Sequence, residues 1–282
     1  AYSFTLFCVF FTWGVCNSVY SFLLEGATFS GVNESANSFV PYFTVDMPPL
    51  MGVMSALIAA FVIGLGLTMV GGKTLKAVFD DFSEIIVLTI SKVIIPLLPL
   101  YIFGIFLSMS ANDQVTSVLG VFIKLIVVIF IMTAVLLIVQ FSVAGFVAKK
   151  SPVRMLKHMM TACFTALGTQ SSAATIPVTL QQTIKNGVDP AIAGFVVPLC
   201  ATIHLSGSTM KIVACSLAIM LITGMELDPS VMVGFIFMLG ITMVAAPGVP
   251  GGAIMAAVGI LQSILGFDET AVALMIALYI AM

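Results

Sequence analysis

Long apolar runs without a charged side chain alternate with short polar stretches along this chain of 282 residues. A helix needs about 20 apolar residues to cross a bilayer. Runs of that length occupy residues 1–24, 48–70, 93–112 and 125–148. A polar stretch, 25–46, follows the first run, and a basic turn with Lys73 and Lys76 follows the second. The pattern predicts several membrane-spanning helices.

Two later runs do not fit single spans. Residues 159–184 are free of Asp, Glu, Lys and Arg, yet their centre reads GTQSSAAT and both flanks, Lys157 and Lys185, are basic. Residues 229–267 are too long for one span, are interrupted by APGVPGGA and have acidic flanks. Irregular backbone at membrane depth is tolerated only where it is buried or lines a cavity. We therefore predict two re-entrant helical hairpins, at about 152–186 and 229–267, which enter from opposite faces.

A third interruption lies between these hairpins, in the run 189–223. Its centre contains Thr202, His204, Ser206, Gly207, Ser208 and Thr209. Ser and Thr side chains compete for backbone hydrogen bonds, and Gly weakens a helix. The segment is therefore predicted to be a broken helix. Interrupted apolar segments of this kind indicate a transporter binding site, where half-helix N-termini attract an anionic ligand.

The charges predict which side of the membrane each connection faces. Alternating the spans places nearly all basic residues on one face: Lys73, Lys76, Lys92, Lys149, Lys150, Arg154, Lys157 and Lys185. The other face is acidic, with Lys124 as the exception. Positive loops remain cytoplasmic. We expect a multi-pass protein of the plasma (inner) membrane, with the basic loops 71–76 and 149–157 in the cytoplasm.

Composition supports a membrane protein and excludes other classes. Hydrophobic residues make up 61% of the chain and charged residues 8%, against roughly 25% charged in soluble domains. The mean hydropathy is +1.23. A net charge of −2 gives no basis for nucleic-acid binding. The five cysteines lie in apolar stretches without paired spacing, so we expect no disulfide framework, no metal site and no cofactor. Too few residues follow Glu269 to complete a span, which suggests an internal fragment.

Three segments carry a family resemblance: TQSSAATIPVTLQ at 169–181, ATIHLSGST at 201–209 and APGVPGG at 246–252. In this order and spacing they resemble the dicarboxylate/amino acid:cation symporters, the glutamate-transporter family. The resemblance implies an all-α polytopic fold with two opposed re-entrant hairpins and an unwound transmembrane helix. It also implies a homotrimer and an elevator mechanism, with residues 1–112 as scaffold and 114–282 as the mobile transport domain.

The resemblance also implies which residues bind substrate and coupling ion. The substrate-binding candidates are the first hairpin tip, parts of the broken helix and the second tip: Gln170, Ser171, Ser172, Ala173, Ser206, Ser208, Pro247, Gly248, Val249, Pro250 and Gly251. Ser172 is the favoured contact to the substrate carboxylate. The candidates at the cation site are Thr202, His204, Ser206, Lys211 and Ala246.

The chain departs from sodium-coupled members of the family at this cation site. Those members typically carry Asn-Met-Asp-Gly-Thr where this chain has His204, Leu205, Ser206, Gly207 and Ser208. A carboxylate is lost at Ser206, and a hydroxyl is lost at Ala246. We hypothesise that the coupling ion is a proton, or that a fixed protein cation takes its place.

His204, Ser208 and Lys211 would share one face if the segment rewound as helix. Ionisable residues within a span are functional candidates, and histidine titrates near neutral pH. Two alternatives stay open: a neutral His204 that bonds a backbone carbonyl, and a Lys211 that snorkels or pairs within the bundle.

The function that the sequence favours is secondary active symport of an amino acid or a C4-dicarboxylate with H⁺ or Na⁺. The protein would then be no enzyme, and its partners would be a carboxylate-bearing solute and the lipid bilayer. One alternative is an ion channel or uncoupled facilitator of the same fold. A remote alternative is an intramembrane hydrolase that pairs Ser171 or Ser172 with His204, although no carboxylate lies nearby in sequence to orient the imidazole. The substrate stays open, because the family's last helix carries the residues that read it.

Overall fold

The computed structural model describes residues 2–23, 51, 53–89, 115–244, 246 and 251–282, with scattered residues between 92 and 107. Within these ranges the chain forms helices α1 (Tyr2–Leu23), α2 (Val53–Val70), α3 (Lys73–Thr89), α4 (Val115–Ala148), α5 (Pro152–Thr169), α6 (Ser172–Lys185), α7 (Pro190–Ile203), α8 (Ser206–Thr223), α9 (Pro229–Val244), α10 (Gly252–Leu265) and α11 (Glu269–Ala281). These described residues contain no strand. The predicted all-α fold class is confirmed.

Three helical stretches are long and apolar enough to cross a membrane: Tyr2–Tyr20, Phe122–Ala148 and Pro190–Thr223, which includes the break. Shorter apolar helices occupy Ile58–Val70, Pro229–Val244, Gly252–Leu265 and Glu269–Ile280. This is the pattern of a multi-pass membrane protein.

The starts of several helices follow from local sequence. Pro190 and Pro152 stand in the first turn of α7 and α5, where a missing N–H costs nothing. Asp189 caps α7, because its carboxylate accepts the N–H groups of Ala191 (2.9 Å) and Ile192 (3.3 Å). Asp268 caps α11 through the N–H of Ala271 at 2.7 Å. Side-chain oxygens at these positions satisfy donors that the helix itself leaves open.

The structure corrects three predictions about the first half of the chain. The basic stretches 71–76 and 149–157 are mostly helical, since α3 begins at Lys73 and α5 at Pro152. Helix α3 itself was missed, because charges spread along an amphipathic helix interrupt the apolar run. Helix α4 starts before residue 125, so Lys124 lies inside a helix, where its ammonium donates to the carbonyl of Leu23 at 3.2 Å. The predicted loop 25–46 and most of the span 93–112 lie outside the described residues.

The core of the bundle forms around α8. From Thr209 to Ile222 nearly every side chain of this helix is buried. A helix that is apolar on all sides belongs inside a bundle. Helix α8 contacts α1, α4, α9, α10 and α11. The break that precedes α8 therefore lies beside the centre of the molecule.

Side-chain contacts fix the relative directions of these helices. Helix α4 runs antiparallel to α1, since Cys16 meets Met132 (Sγ to Sδ, 3.6 Å) and Cys8 meets Gln140 (Sγ to Nε2, 3.8 Å). Helix α8 begins at the end of the bundle where α1 begins, beside Thr5. Helix α11 runs back along α8. The end of α4 and the start of α8 therefore point to one end of the bundle, and the connections 224–228 and 266–268 to the other.

Helices α5 and α6 form one pair of neighbours in the bundle, and α9 and α10 form another. In each pair, the start of the first helix and the end of the second lie at the same end of the bundle. Helices α5 and α6 pack together, and the Lys150 ammonium donates to the carbonyls of Asn186 (2.7 Å) and Gly187 (3.2 Å). His158 in α5 bonds the Asn186 side chain at 2.8 Å. Helices α9 and α10 pack together between the connections 224–228 and 266–268. The pairs therefore open in opposite directions, toward a basic end and an acidic end.

Candidate functional site

The chain leaves helical geometry for two residues between α7 and α8. His204 has φ −113° and ψ 77°, and Leu205 has φ −97° and ψ 47°. The His204 N–H still donates to the Cys200 carbonyl at 3.0 Å, and the Thr209 N–H donates to the Leu205 carbonyl at 3.0 Å. A helix end exposes carbonyls with partial negative charge, and a helix start exposes N–H groups with partial positive charge. The break therefore offers both polarities within a few residues.

His204 is held at this break by helix α1. Its Nδ1 lies 3.0 Å from the Thr5 hydroxyl, and its ring lies 5.8 Å from the Phe4 ring, centroid to centroid. The side chain is half-buried. A bond at one ring nitrogen selects the tautomer and the orientation of the imidazole. The sequence analysis missed Thr5 and Phe4. A sequence signal for this face exists in α1, where the buried residues Thr5, Cys8, Thr12, Cys16 and Tyr20 recur three or four apart.

Lys211 lies within the bundle on the other side of the break. Its ammonium stands 4.0 Å from the centroid of the Tyr279 ring in α11, and only 8% of Tyr279 is exposed. Its α8 neighbours Met210 and Ile212 are buried. Ser208 precedes Lys211 by nearly one turn and lies beside Tyr279. The interpretation of Lys211 as a residue packed within the bundle therefore fits better than snorkelling.

His204, Ser208 and Lys211 would share one face only in a continuous helix, and the chain leaves helical geometry at His204 and Leu205. His204 lies before the first residue of α8, while Ser208 and Lys211 lie within that helix. Accordingly His204 contacts α1 and Lys211 contacts α11. Because the chain is not a continuous helix here, the side chain of His204 points in a different direction from those of Ser208 and Lys211.

The first tip is a tight turn between α5 and α6. Gln170 adopts the left-handed conformation (φ 51°, ψ 20°), and its N–H donates to the Ala166 carbonyl at 2.8 Å. Ser171 caps α6, since its hydroxyl accepts the N–H of Ala174 at 3.3 Å. Ser172 and Ala173 open α6 and are exposed. Left-handed residues other than Gly cost energy and occur often at functional sites.

The second tip is described only at its edges. Ala246 is buried, with 3% of its surface exposed, and Gly251 precedes α10 with a left-handed φ of 70°. The candidates Pro247, Gly248, Val249 and Pro250 lie outside the described residues. Thr202 lies in the last turn of α7, and its side chain is likewise not described.

The structure thus places His204 and Ser206 at the break and Ser208 and Lys211 in the first two turns of α8. Thr5 lies beside His204, and Tyr279 lies beside Ser208 and Lys211. The described hydrogen bonds of Thr169 and Thr175 stay within the first hairpin, where their hydroxyls lie 3.2 Å apart. Among the described residues, no group of three or more His, Cys, Asp or Glu side chains could hold a metal ion. The groups near the break that could bind a solute or an ion are hydroxyls, backbone groups, one imidazole and one ammonium.

Comparison with known proteins identifies relatives of this chain. The profile of the Sodium:dicarboxylate symporter family matches residues 1–282. The Serine/threonine transporter SstT of Acinetobacter baumannii (strain AYE) is 32% identical over 201 residues, which cover 70% of this chain and 50% of that protein. The protein of the same name from Streptococcus suis (strain 05ZYH33) is 31% identical over 187 residues, covering 65% and 51%.

The chain spans about half the length of these curated relatives. They are named transporters, which confirms the expectation of a transporter family rather than an enzyme family and argues against the hydrolase alternative. The match of the family profile also confirms the resemblance found in the three sequence segments. This chain belongs to the sodium:dicarboxylate symporter family.

Proposed function

We propose that the protein containing this chain is a secondary active transporter of a small carboxylate-bearing solute, an amino acid or a C4-dicarboxylate, coupled to a cation. The observation that carries the proposal is the break at His204 and Leu205, which lies beside the core between two helix pairs that open toward opposite ends. Backbone groups of both polarities at such a break suit an anionic solute and a cation together. The names of the family and of the relatives point the same way.

The substrate carboxylate is proposed to bind at the first tip and at the start of α8. At the tip, Ser172 is exposed beside the N-terminus of α6, whereas Ser171 is half-buried and its hydroxyl caps the helix by accepting the N–H of Ala174. At the start of α8, Ser206 and Ser208 supply hydroxyls, and Leu205 provides no side-chain cap. Gln170, Ala173, Pro247, Gly248, Val249, Pro250 and Gly251 complete the proposed substrate site through their backbone and shape.

The coupling ion is proposed to be a proton rather than sodium. Ser206 and Ala246 provide no carboxylate and no second hydroxyl, so the oxygen ligands that sodium needs are depleted here. His204 stands at the break with its Nδ1 bonded to Thr5, a geometry in which the imidazole can load a proton together with the substrate. Sodium remains the competing ion, because Thr5, Thr202 and the last carbonyls of α7 are oxygen donors.

The family resemblance supports a proposal for the assembly. We propose a homotrimer in the plasma (inner) membrane with its basic end in the cytoplasm, in which residues 114–282 move as an elevator against a scaffold. Residues 1–112 were assigned to that scaffold. Helix α1 nevertheless packs against α4, α8 and α9. This packing favours including α1 in the moving unit, with the scaffold limited to the rest of 1–112.

Reconstitution of the full-length protein in liposomes tests the proposal. Uptake of labelled succinate, aspartate and serine is measured under a proton gradient and, separately, under a sodium gradient. Uptake that follows the proton gradient, ignores sodium and loses its pH dependence in His204→Gln supports proton coupling. Sodium-driven uptake overturns it.

The second candidate is an uncoupled facilitator or channel, favoured by the depletion of cation ligands at Ser206 and Ala246. Its signature is solute or ion flux that neither gradient can drive uphill. Saturable uptake against a concentration gradient excludes it.

A further inference from the structure

The ammonium of Lys211 is a positive charge inside the bundle, and no carboxylate of a described residue pairs with it. Among the described residues it forms no ion pair, and its close partner is the Tyr279 ring at 4.0 Å. A desolvated cation–π contact is weaker than the hydration that an ammonium loses when it leaves water. The ring therefore offsets only part of the cost of placing this charge here.

The acidic residues near this part of the chain are too far away to pair with it. Glu226 and Asp228 follow the end of α8, and Asp268 and Glu269 stand at the start of α11. Because α11 runs antiparallel to α8, both groups lie at the end of α8 remote from Lys211. From Lys211 to Thr223 the helix rises by roughly 18 Å at about 1.5 Å per residue.

The position of Lys211 suggests what supplies the missing charge. It follows the break by about two helical turns, and its ring partner Tyr279 also lies beside Ser208 in the first turn of α8. An anionic solute bound at the start of α8 would therefore have the fixed positive charge of Lys211 about two helical turns away.

We propose that Lys211 binds a second negatively charged group of the substrate, so that this protein selects dianionic solutes, a C4-dicarboxylate or an acidic amino acid, over neutral amino acids. The inference rests on the proposed function, because it takes the first carboxylate to bind at the start of α8 and the first hairpin tip. The Tyr279 ring holds the ammonium in place, and the arriving carboxylate completes its neutralisation.

Binding measurements on the wild-type protein test this directly. The full-length protein, purified in detergent, is titrated with succinate and with monomethyl succinate, and thermal unfolding is followed. A charged hydrogen bond lost from a buried site weakens binding roughly tenfold or more. We expect the monoester to bind weaker than succinate by at least that factor, and aspartate to bind more tightly than serine. Equal affinities for succinate and its monoester overturn the proposal.

Substitutions at Lys211 test whether this residue causes the preference for dianionic solutes. Lys211→Gln is expected to weaken succinate and aspartate binding roughly tenfold or more while serine binding changes less than about twofold, and Lys211→Arg retains the preference. Lys124→Gln, which removes an exposed ammonium on α4, is the matched control. Unchanged succinate binding in Lys211→Gln contradicts the assignment.

Uptake in liposomes separates this inference from the proposed function. Selective binding of dianions without uptake under any gradient refutes the transporter and leaves the role of Lys211 standing. Gradient-driven uptake of serine in preference to aspartate and succinate, equal in wild type and Lys211→Gln, supports the transporter and refutes the role of Lys211.

Discussion

The hydrogen bond between Thr5 and His204 joins a side chain of α1 to the point where the main chain leaves helical geometry. Two consequences follow from this single contact. The imidazole cannot turn freely, because one ring nitrogen is engaged and the Phe4 ring lies against it. In addition, a switch of the His204 tautomer would exchange donor and acceptor in its bond to Thr5 of α1.

Removing the Thr5 hydroxyl should therefore impair transport without disturbing the fold. Thr5→Val preserves the shape of the side chain but cannot bond His204, and we expect initial uptake to fall about five- to tenfold, the value of one hydrogen bond. The pH profile of uptake should shift as well, because the tautomer of His204 is no longer held. Uptake by proteoliposomes between about pH 5 and 8 measures both.

Thr12→Val is the matched control for this experiment. Thr12 lies on the same buried face of α1, but its hydroxyl donates to the Cys8 carbonyl of its own helix at 2.7 Å. Its removal should leave the pH profile unchanged, and Thr5→Ser should restore the wild-type profile. A Thr5→Val profile identical to wild type would mean that Thr5 merely fills space.

Asp228 carries a pH-dependent contribution to stability at the acidic end of the bundle. The N–H of Ser230 (2.8 Å) and its hydroxyl (2.9 Å) both donate to this carboxylate just before α9, and these bonds hold its pKa below the usual value. A depressed pKa stabilises the fold above the unfolded pKa and loses that effect as pH falls through the folded value.

We accordingly expect Asp228→Ala to unfold at a lower temperature than wild type at neutral pH, and the gap to close below about pH 4. Thermal unfolding of the purified protein at a series of pH values provides the measurement. Comparison with wild type at each pH removes the effect of other carboxylates. A gap that is constant across this range would show that the bonds to Ser230 do not depend on the charge of Asp228.

At the scale of elements, the sequence predicted those helices whose ends carry a strong local signal. The paired helices α5–α6 and α9–α10 occupy nearly the predicted ranges, because polar tips interrupt apolar runs. The break at His204 was predicted for the same reason. Helix α3 and the early start of α4 were missed. A charge-free run indicates which residues lie in the apolar part of the membrane, but it does not indicate where a helix begins or ends. The contacts of Thr5 and Tyr279 join residues about 200 and 70 positions apart from their partners, and no single-sequence pattern encodes such pairings.

The turn between α4 and α5 depends on the close approach of backbone to proline. A Cβ added at Gly145 would stand 2.7 Å from Pro152 Cγ and 2.8 Å from the Lys150 carbonyl oxygen. The Lys150 N–H also donates to the Gly145 carbonyl at 2.9 Å, so the turn cannot open without losing this bond. We expect Gly145→Ala to destabilise the protein by about 1–3 kcal/mol, the usual cost of overpacking.

Gly194→Ala gives the opposite expectation and so serves as control. Gly194 lies inside α7 with open space around its position, and alanine is the better helix former by about 1 kcal/mol. In thermal unfolding of both variants in the same detergent, we expect Gly145→Ala to lower the midpoint and Gly194→Ala to raise it. A Gly145→Ala protein as stable as wild type would show that the turn can shift to admit the methyl group.

The ammonium of Lys150 links two helices at the basic end of the bundle, because it binds the carbonyls at the end of α6. Its ammonium donates to Asn186 and Gly187, which joins the end of α4 to the last turn of the first hairpin. Cations near a helix C-terminus are favourable. Lys150→Met retains the aliphatic stem and removes these bonds, so we expect its thermal unfolding midpoint to fall by a few degrees. Lys157→Met, at an exposed position of α5, should leave the midpoint unchanged.

At the scale of the whole molecule, the grouping of helices decides what can move. Helix α1 contacts α4, α8 and α9, while α2 contacts α10. A boundary at residue 112 would place α1 and α4 in different bodies, and the half-buried contact between Cys8 and Gln140 would have to break in every cycle of the proposed elevator. Packed cores favour discrete arrangements over continuous sliding. We therefore expect α1 and α4 to move together.

Cross-linking of the full-length protein before an uptake assay tests this grouping. Gln140→Cys places a second thiol beside Cys8, in a background where Cys16, Cys163, Cys200 and Cys215 are replaced by Ala. If α1 and α4 form one body, joining these thiols with a short bifunctional reagent leaves uptake close to that of the untreated protein, because no relative movement is required. A cross-link between α2 and α10, which the proposed elevator moves against each other, should stop uptake. Loss of uptake on joining Cys8 to the introduced thiol, restored by a cleavable reagent, would instead place α1 in the scaffold, and the bond from Thr5 to His204 would then be made and broken in each cycle.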